Sequence, residues 1–362
     1  MTQSRREYLR QQRLRRRRIF YICCLAFFLI FIILIGILIG RIAGRNADPA
    51  SGQITEAPEG GGSEMALPPS GTETSSATGN ILSIMKDNIR STAIENSIPV
   101  VVPPTGYELR FMTEEDLHKG NLILVNKQYA YEFFDFSDTT ELVSIYDIMT
   151  GSYDVSSVDI LLQPVAADAL DRMLNDFIDN AWRDDLLILS GYRTKEESQE
   201  LYDASAIENG KEHADLYVMK PGHSEHHTAL SVDIGVMGWD GSVDFFIEPD
   251  SWLNANCHKY GFVMRYPEAK AGITGIELEP WHFRYVGEVH ATAMTNEGLC
   301  LEEYIDFIKN YTAGGLHYQV STSSGIYDVY YAEGTQVPVP QMQSYEIFGN
   351  NVDGFIVTVK VG

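Results

Sequence analysis

From Ile19 to Gly40 the chain runs for 22 residues without a charge, rich in Ile, Leu and Phe, and this run divides it into parts with different surroundings. As a helix rising 1.5 Å per residue it would reach roughly 33 Å, enough to cross the hydrocarbon core of a bilayer. Arg13 and Arg15 to Arg18 precede it, whereas only Arg41 and Arg45 follow closely. The excess of positive charge before the span predicts a cytoplasmic N-terminus and an extracytoplasmic remainder. A cleaved signal peptide would have a shorter apolar stretch with a small-x-small site soon after it, so the expectation is an uncleaved single-pass anchor in the cell membrane.

The charges follow the same division. The whole chain of 362 residues carries a formal net charge of -23, yet its first 45 residues hold ten Arg against one Glu. The exported part is therefore strongly acidic, which argues against nucleic acid or anionic lipid as its partner. A hydrophobic fraction of 44% is ordinary for a packed core and excludes disorder throughout. Cys23 and Cys24 fall inside the span, as small apolar residues or acylation sites. Cys257 and Cys300 are the only exported cysteines, and on the oxidising side of a membrane the pair is expected to form a disulfide.

Five segments are expected: a basic cytoplasmic tail over 1–18, the transmembrane helix over 19–40, a linker over 41–100, a folded domain over 101–310 and a β-rich appendage over 311–362. The linker is mostly Gly, Ser, Thr, Pro, Ala and Glu, too poor in large apolar groups to order itself, with a short helix expected near Ile81 to Ile89. In the folded domain, apolar runs at Leu122 to Val125 and Leu186 to Leu189 read as strands. Leu170, Met173, Leu174, Phe177 and Ile178 give Ala166 to Trp182 a helical period. Thr194 is placed to cap a helix with acids in its first turn. Beyond Tyr311, Ile326 to Tyr331 and Phe355 to Val361 read as strands, with turns at Gly314-Gly315 and Gly349-Asn350-Asn351. The expected fold class is α+β: a small antiparallel sheet flanked by helices.

Two segments carry chemistry. In Ser224-Glu225-His226-His227-Thr228-Ala229-Leu230-Ser231-Val232-Asp233 a His-rich loop runs into a strand whose apolar alternation turns Asp233 to the opposite face, beside the small Ser231 and Gly235. In Glu279-Pro280-Trp281-His282-Phe283-Arg284-Tyr285 the aromatics alternate with His282. Glu279 would lie on the wrong face of a regular strand, so a bend at Pro280 is expected. Two His nitrogens and an Asp oxygen would make a three-ligand zinc site with a fourth position for water. Glu279 is then the spare carboxylate for moving the water's proton. The residues alone do not say whether His226 or His227 is the ligand, and strict alternation back from Asp233 favours His227.

Together with Ser190-Gly191-Tyr192-Arg193, and with Tyr260-Gly261-Phe262 followed by Arg265-Tyr266-Pro267, these segments resemble VanY-type D-alanyl-D-alanine carboxypeptidases over about residues 105–310, four motifs in the family's order. The resemblance implies Zn²⁺ on His226, Asp233 and His282, Glu279 as general base, and Arg193 with Ser224 gripping the free carboxylate of the terminal D-alanine. A guanidinium suits that role, because it can grip a carboxylate with two parallel bonds. The substrate so implied is a peptidoglycan stem peptide. The neighbouring alternatives are an L,D-carboxypeptidase, a wall endopeptidase, or a wall-binding or sensory module with a relic metal site. The sequence departs from the pattern at Ala229, where the family usually has Gly, at Ser231, where it usually has Ala, and at Ser198-Gln199, where a Gln is expected one place earlier.

Overall fold

The computed structural model describes residues 101–132, 142–181, 183, 185–238, 240–244 and 251–362. The expected tail, membrane span with Cys23 and Cys24, linker and short helix near Ile81 to Ile89 all lie outside the described residues. Among the described residues, no helix is long and apolar enough to cross a membrane.

The strands in chain order are β1 (Tyr107–Phe111), β2 (Val143–Ser144), β3 (Asp154–Val155), β4 (Leu161–Leu162), β5 (Leu186–Ser190), β6 (Ser231–Met237) and β7 (Val243–Asp244), then β8 (Phe262–Tyr266), β9 (Glu279–Tyr285), β10 (Tyr318–Thr322), β11 (Gly325–Glu333), β12 (Gln336–Pro340), β13 (Tyr345–Gly349) and β14 (Gly354–Lys360). The central sheet has the order β3-β5-β6-β9-β8, with β7 also on β6. It is antiparallel except where β3 runs parallel to β5. With its flanking helices this makes the expected mixed α+β fold.

The helix Pro164–Ala181 buries Leu170, Met173, Leu174, Phe177 and Ile178, the stripe anticipated from its 3.6-residue period. That stripe packs on Leu186 and Ile188 of β5, Val232 and Ile234 of β6, and Phe283 of β9. The helix therefore covers one face of the sheet, and the residues alternating with this apolar set, Asp233 and His282, face the other side. Helix Lys195–Asn209 opens on Thr194, whose side chain accepts from the Glu197 amide while the Glu197 carboxylate accepts from the Thr194 amide. This reciprocal cap explains the start read from the sequence.

The C-terminal strands form a sheet of order β10-β11-β14-β13, and β12 pairs antiparallel with β1. Val320, Val329, Tyr331 and Ile356 of these strands share one apolar cluster with Leu122, Leu124, Val263, Val286 and Tyr304.

Two expectations are corrected. Leu122 to Val125 is not a strand but a buried irregular segment. Its apolar side chains fill the interior while its backbone groups bond elsewhere: the Leu124 amide donates to Asn350 O, Asn351 Nδ2 donates to Leu124 O, and Arg284 Nη2 donates to Ile123 O. Two side chains and a carbonyl from distant segments replace a ladder. The expected disulfide is absent: Cys257 and Cys300 are separate free thiols, both buried. Each is engaged locally, Cys257 Sγ donating to Asn254 O and Cys300 Sγ capping the helix Leu301–Ile308. Burial pushes both thiols up, to about 12 and about 11, which disfavours the reactive thiolate.

Candidate active site

Register places the chemical groups in a row across three strands: Ser190 of β5 pairs with Asp233 of β6, and Asp233 pairs with His282 of β9. The short 3₁₀ turn Glu225–Thr228 immediately before β6 adds His226. It ends on Ala229 in the left-handed region, with φ 55 and ψ 23. That conformation accounts for glycine being usual here, while Ala229 keeps the same turn.

The turn also decides between the two adjacent histidines. Strand alternation does not apply to a 3₁₀ turn, and it is His226 that meets the Asp233 face, with Nε2 3.2 Å from Asp233 Oδ2. His227 points away. Its Nδ1 donates to Arg193 O at 2.7 Å and its Nε2 accepts from the Gly222 amide at 3.0 Å, so it is a neutral imidazole whose pKa burial lowers to about 4.

His282 Nδ1 lies 3.0 Å from Asp233 Oδ1, and one donor atom from each of His226, Asp233 and His282 falls within 4.8 Å of the others. Donors around a tetrahedral Zn²⁺ at ~2 Å are roughly 3.3 Å apart, so the trio fits such an ion with little movement. The nitrogen of each imidazole that does not face Asp233 agrees with this. His226 Nδ1 donates to Gly191 O at 2.7 Å, leaving Nε2 as the ligand atom. His282 Nε2 is buried with no hydrogen bond made, 3.5 Å from Glu225 Oε2, leaving Nδ1 as the ligand atom.

The electrostatics suit a cation. Burial alone would raise the Asp233 carboxyl, but the adjoining His226 and His282 outweigh it and hold the group far below the ordinary carboxylate range. His226 is lowered by burial, partly offset by Asp233. His282 goes the other way: burial opposes its charge, yet the Asp233 and Glu225 carboxylates push it up to about 9.

Glu279, at the start of β9, faces the same space because β9 bulges. Tyr266 pairs with Glu279 and Met264 with Phe283, so β9 spends four residues where β8 spends two, which is the bend expected at Pro280. Burial, together with the negative charges of Asp233 and Glu225, raises the Glu279 carboxyl despite the nearby His282. Arg193 follows β5 in a loop that requires Gly191, where a Cβ would lie 2.6 Å from Leu161 O. Arg193 Nη2 donates to Ser190 Oγ at 3.0 Å, and burial lowers the pKa of its guanidinium.

A cavity of about 480 Å³ is lined by Arg193, Ser224, His226, Asp233, Glu279 and His282. Every site residue expected from the sequence is thus brought together, apart from the two cysteines. Ser224 Oγ also accepts from the His226 amide at 3.4 Å. Ser198, Trp281 and Glu225 are among the lining residues not foreseen from the sequence. Ser198 is buried with its hydroxyl unpartnered. Alternation with His282 would put Trp281 on the opposite face of a regular strand, but it lies in the bulged part of β9 and lines the cavity. Glu225 was passed over because nothing in a single glutamate beside two histidines announces burial. The signal lay in Arg265 and Arg284, arginines set among the buried apolar and aromatic residues of β8 and β9.

Two imidazoles and a carboxylate converging beside a spare carboxylate and a guanidinium, in one cleft of an α+β fold, define a single-metal hydrolase. The D-alanyl-D-alanine carboxypeptidase family VanY matches over residues 159–288. A D-alanyl-D-alanine carboxypeptidase of Enterococcus faecium is 34% identical over 255 residues, covering 69% of this chain and 78% of the relative. Another, of Enterococcus faecalis, is 34% identical over 201 residues, covering 53% and 68%. The crystal structure of the vancomycin-resistance D,D-dipeptidase VanXYg, in complex with a D-Ala-D-Ala phosphinate analogue, superposes with a TM-score of 0.61 at 33% identity, covering 70% of this chain and 99% of that one. The chain belongs to the VanY-type D-alanyl-D-alanine carboxypeptidase family.

Proposed function

We propose that the protein is a zinc-dependent D-alanyl-D-alanine carboxypeptidase that removes the terminal D-alanine from peptidoglycan stem peptides. The observation that carries this reading is the single cavity in which Arg193 and Glu279 stand with the His226, Asp233 and His282 cluster. When bound, the metal polarises the scissile carbonyl and acidifies water. His226 Nε2, an Asp233 oxygen and His282 Nδ1 are the atoms that would hold it.

The chain's own residues supply the remaining steps. Arg193, desolvated and steadied by Ser190, grips the substrate's terminal carboxylate and sets the distance from chain end to scissile bond. The raised carboxyl of Glu279 suits a group that accepts a proton from the attacking water and returns it to the leaving amine of D-alanine. Ser224, on the cavity wall beside His226, assists in holding the carboxylate.

The reading extends to location: the uncharged run from Ile19 to Gly40, with arginines crowded before it, supports a single-pass anchor that leaves the enzyme outside the cell membrane. Protease added to intact protoplasts should then remove the folded domain, and full protection would reverse the topology. For the reaction, the purified protein is incubated with a muropeptide ending in D-Ala-D-Ala and the products are weighed. Loss of one alanine, abolished by a chelator and restored by zinc, is expected. Cleavage elsewhere in the stem, or activity indifferent to chelation, would refute the proposal.

A further inference from the structure

Among the described residues, the most deeply buried charges lie behind the metal-ligand cluster. Glu225, Arg265 and Arg284 are 2%, 1% and 0% exposed. Burying such ions costs several kcal/mol each before pairing, and an apolar cluster of similar volume would often be as stable, so stability alone does not account for the carboxylate of Glu225.

Its two oxygens have different neighbours. Oε1 faces Arg265 Nε at 2.8 Å and Arg284 Nη1 at 3.1 Å. Both guanidiniums are held from behind: Arg265 makes two bonds of 2.9 and 2.6 Å to Glu302, and Arg284 Nη2 donates to Asn121 O and Ile123 O. Oε2 is left toward the metal cluster, accepting from Ser231 Oγ at 3.3 Å and standing 3.5 Å from His282 Nε2. The arginines therefore fix which oxygen meets the imidazole, and where.

An imidazole that gives one nitrogen to a metal as a neutral ligand carries its proton on the other, and the acceptor of that proton sets the tautomer and the ring angle. For His226 that acceptor is Gly191 O. For His282 we infer that it is Glu225: its carboxylate, clamped by Arg265 and Arg284, accepts a hydrogen bond from the Nε2–H of His282 and so leaves Nδ1 as the atom that would meet the metal. Glu225 is thus a positioning residue acting through His282, an inference that rests on the metal reading of the site. A shift of a few tenths of an ångström in either side chain would bring the 3.5 Å separation to hydrogen-bond length.

The test uses the full chain. In Glu225→Gln the two arginines claim the amide oxygen, which turns the amide NH₂ toward Nε2 and opposes a donor with a donor. Zinc affinity, measured by competition with a chromophoric chelator, should fall about 10- to 100-fold. Glu302→Gln loosens Arg265 from behind but leaves both arginines facing Glu225 Oε1 and a carboxylate facing His282, so its zinc affinity should fall by clearly less than that of Glu225→Gln. ¹⁵N-histidine NMR of the zinc-loaded wild type should show His282 metallated at Nδ1 and protonated at Nε2. This readout needs no variant and decides the matter if Glu225→Gln does not fold. Metallation at Nε2, or wild-type zinc affinity in a folded Glu225→Gln protein, overturns the inference. A wild type that takes up no zinc would instead defeat the metal reading itself.

Discussion

The His227 imidazole donates a 2.7 Å hydrogen bond from Nδ1 to the backbone oxygen of Arg193, while the Arg193 amide donates back to His226 O at 3.2 Å. The turn that supplies a metal ligand is thereby tied to the loop that supplies the substrate clamp. Replacing His227 by Ala leaves the Arg193 carbonyl and the Gly222 amide without their partner, costing ~1–3 kcal/mol of stability for each group left buried. The clamp then loses its registration on the cluster, and misplacement on this scale lowers kcat/KM by about tenfold or more. Zinc content should be unchanged because His227 is not a ligand. Kinetics and metal analysis on one preparation check both halves, and loss of zinc would show His227 to be part of the metal site.

Metal holding and proton transfer belong to different residues and should separate on mutation. His226→Ala, Asp233→Ala and His282→Ala each remove one of three donors and should deplete zinc along with activity. Glu279→Gln keeps the shape of the cavity and all three donors but cannot accept a proton, so zinc stays while kcat falls by about 10²–10⁴-fold. Near-normal turnover in Glu279→Gln would remove Glu279 from the base role.

His290 links the C-terminal sheet to the helices behind the central sheet, with Nδ1 2.8 Å from Tyr304 Oη and Nε2 3.0 Å from Thr358 Oγ1, and the Phe348 ring packed edge-on. Burial lowers its pKa to about 3, against about 6.5 in the unfolded chain. Above pH ~6.5 both states are neutral and the full stability is present. As pH falls from there toward 3 the unfolded chain binds a proton that the folded one refuses, so stability is lost. Between pH 6.5 and 5 the loss from this residue is ~2 kcal/mol. Denaturant unfolding of His290→Gln should show a correspondingly flatter pH dependence over that interval, and an unchanged slope would mean that His290 accepts its proton without unfolding.

What the sequence made legible follows from how local each cause is. The helix Pro164–Ala181 was readable because its buried stripe recurs every three to four residues. The start at Thr194 was readable because its cap is complete within Thr194 to Glu197. Asp233 could be placed opposite Val232 and Ile234 by strand period alone. The failures are non-local. Leu122 to Val125 has the composition of a strand, but its backbone partners are side chains and carbonyls more than 150 residues away. Alternation pointed to His227 because it extended the strand of Asp233 into a segment that is a 3₁₀ turn. Glu225 needed two arginines from β8 and β9 to become intelligible. For Cys257 and Cys300 the compartment argument held no geometry, and each thiol is committed to its own helix end.

Arg193 carries the distinction between trimming a chain end and cutting within a chain. Its guanidinium is desolvated, donates to Ser190 Oγ at 3.0 Å, and lines the cavity that holds the metal cluster. A free terminal carboxylate gives it a charged partner, whereas an amidated terminus does not. Charge-assisted bonds of this kind contribute ~1.5–3 kcal/mol, so amidation should lower kcat/KM by at least about tenfold. Arg193→Ala should slow the free-acid substrate by a similar factor and the amidated one much less, because both changes remove the same interaction. Zinc content should not change in the variant, since Arg193 is not a ligand. An endopeptidase would be indifferent to the terminus, so equal rates on the free and amidated peptides would reassign the enzyme to internal cleavage, with His226, Asp233, His282 and Glu279 keeping the roles given to them here.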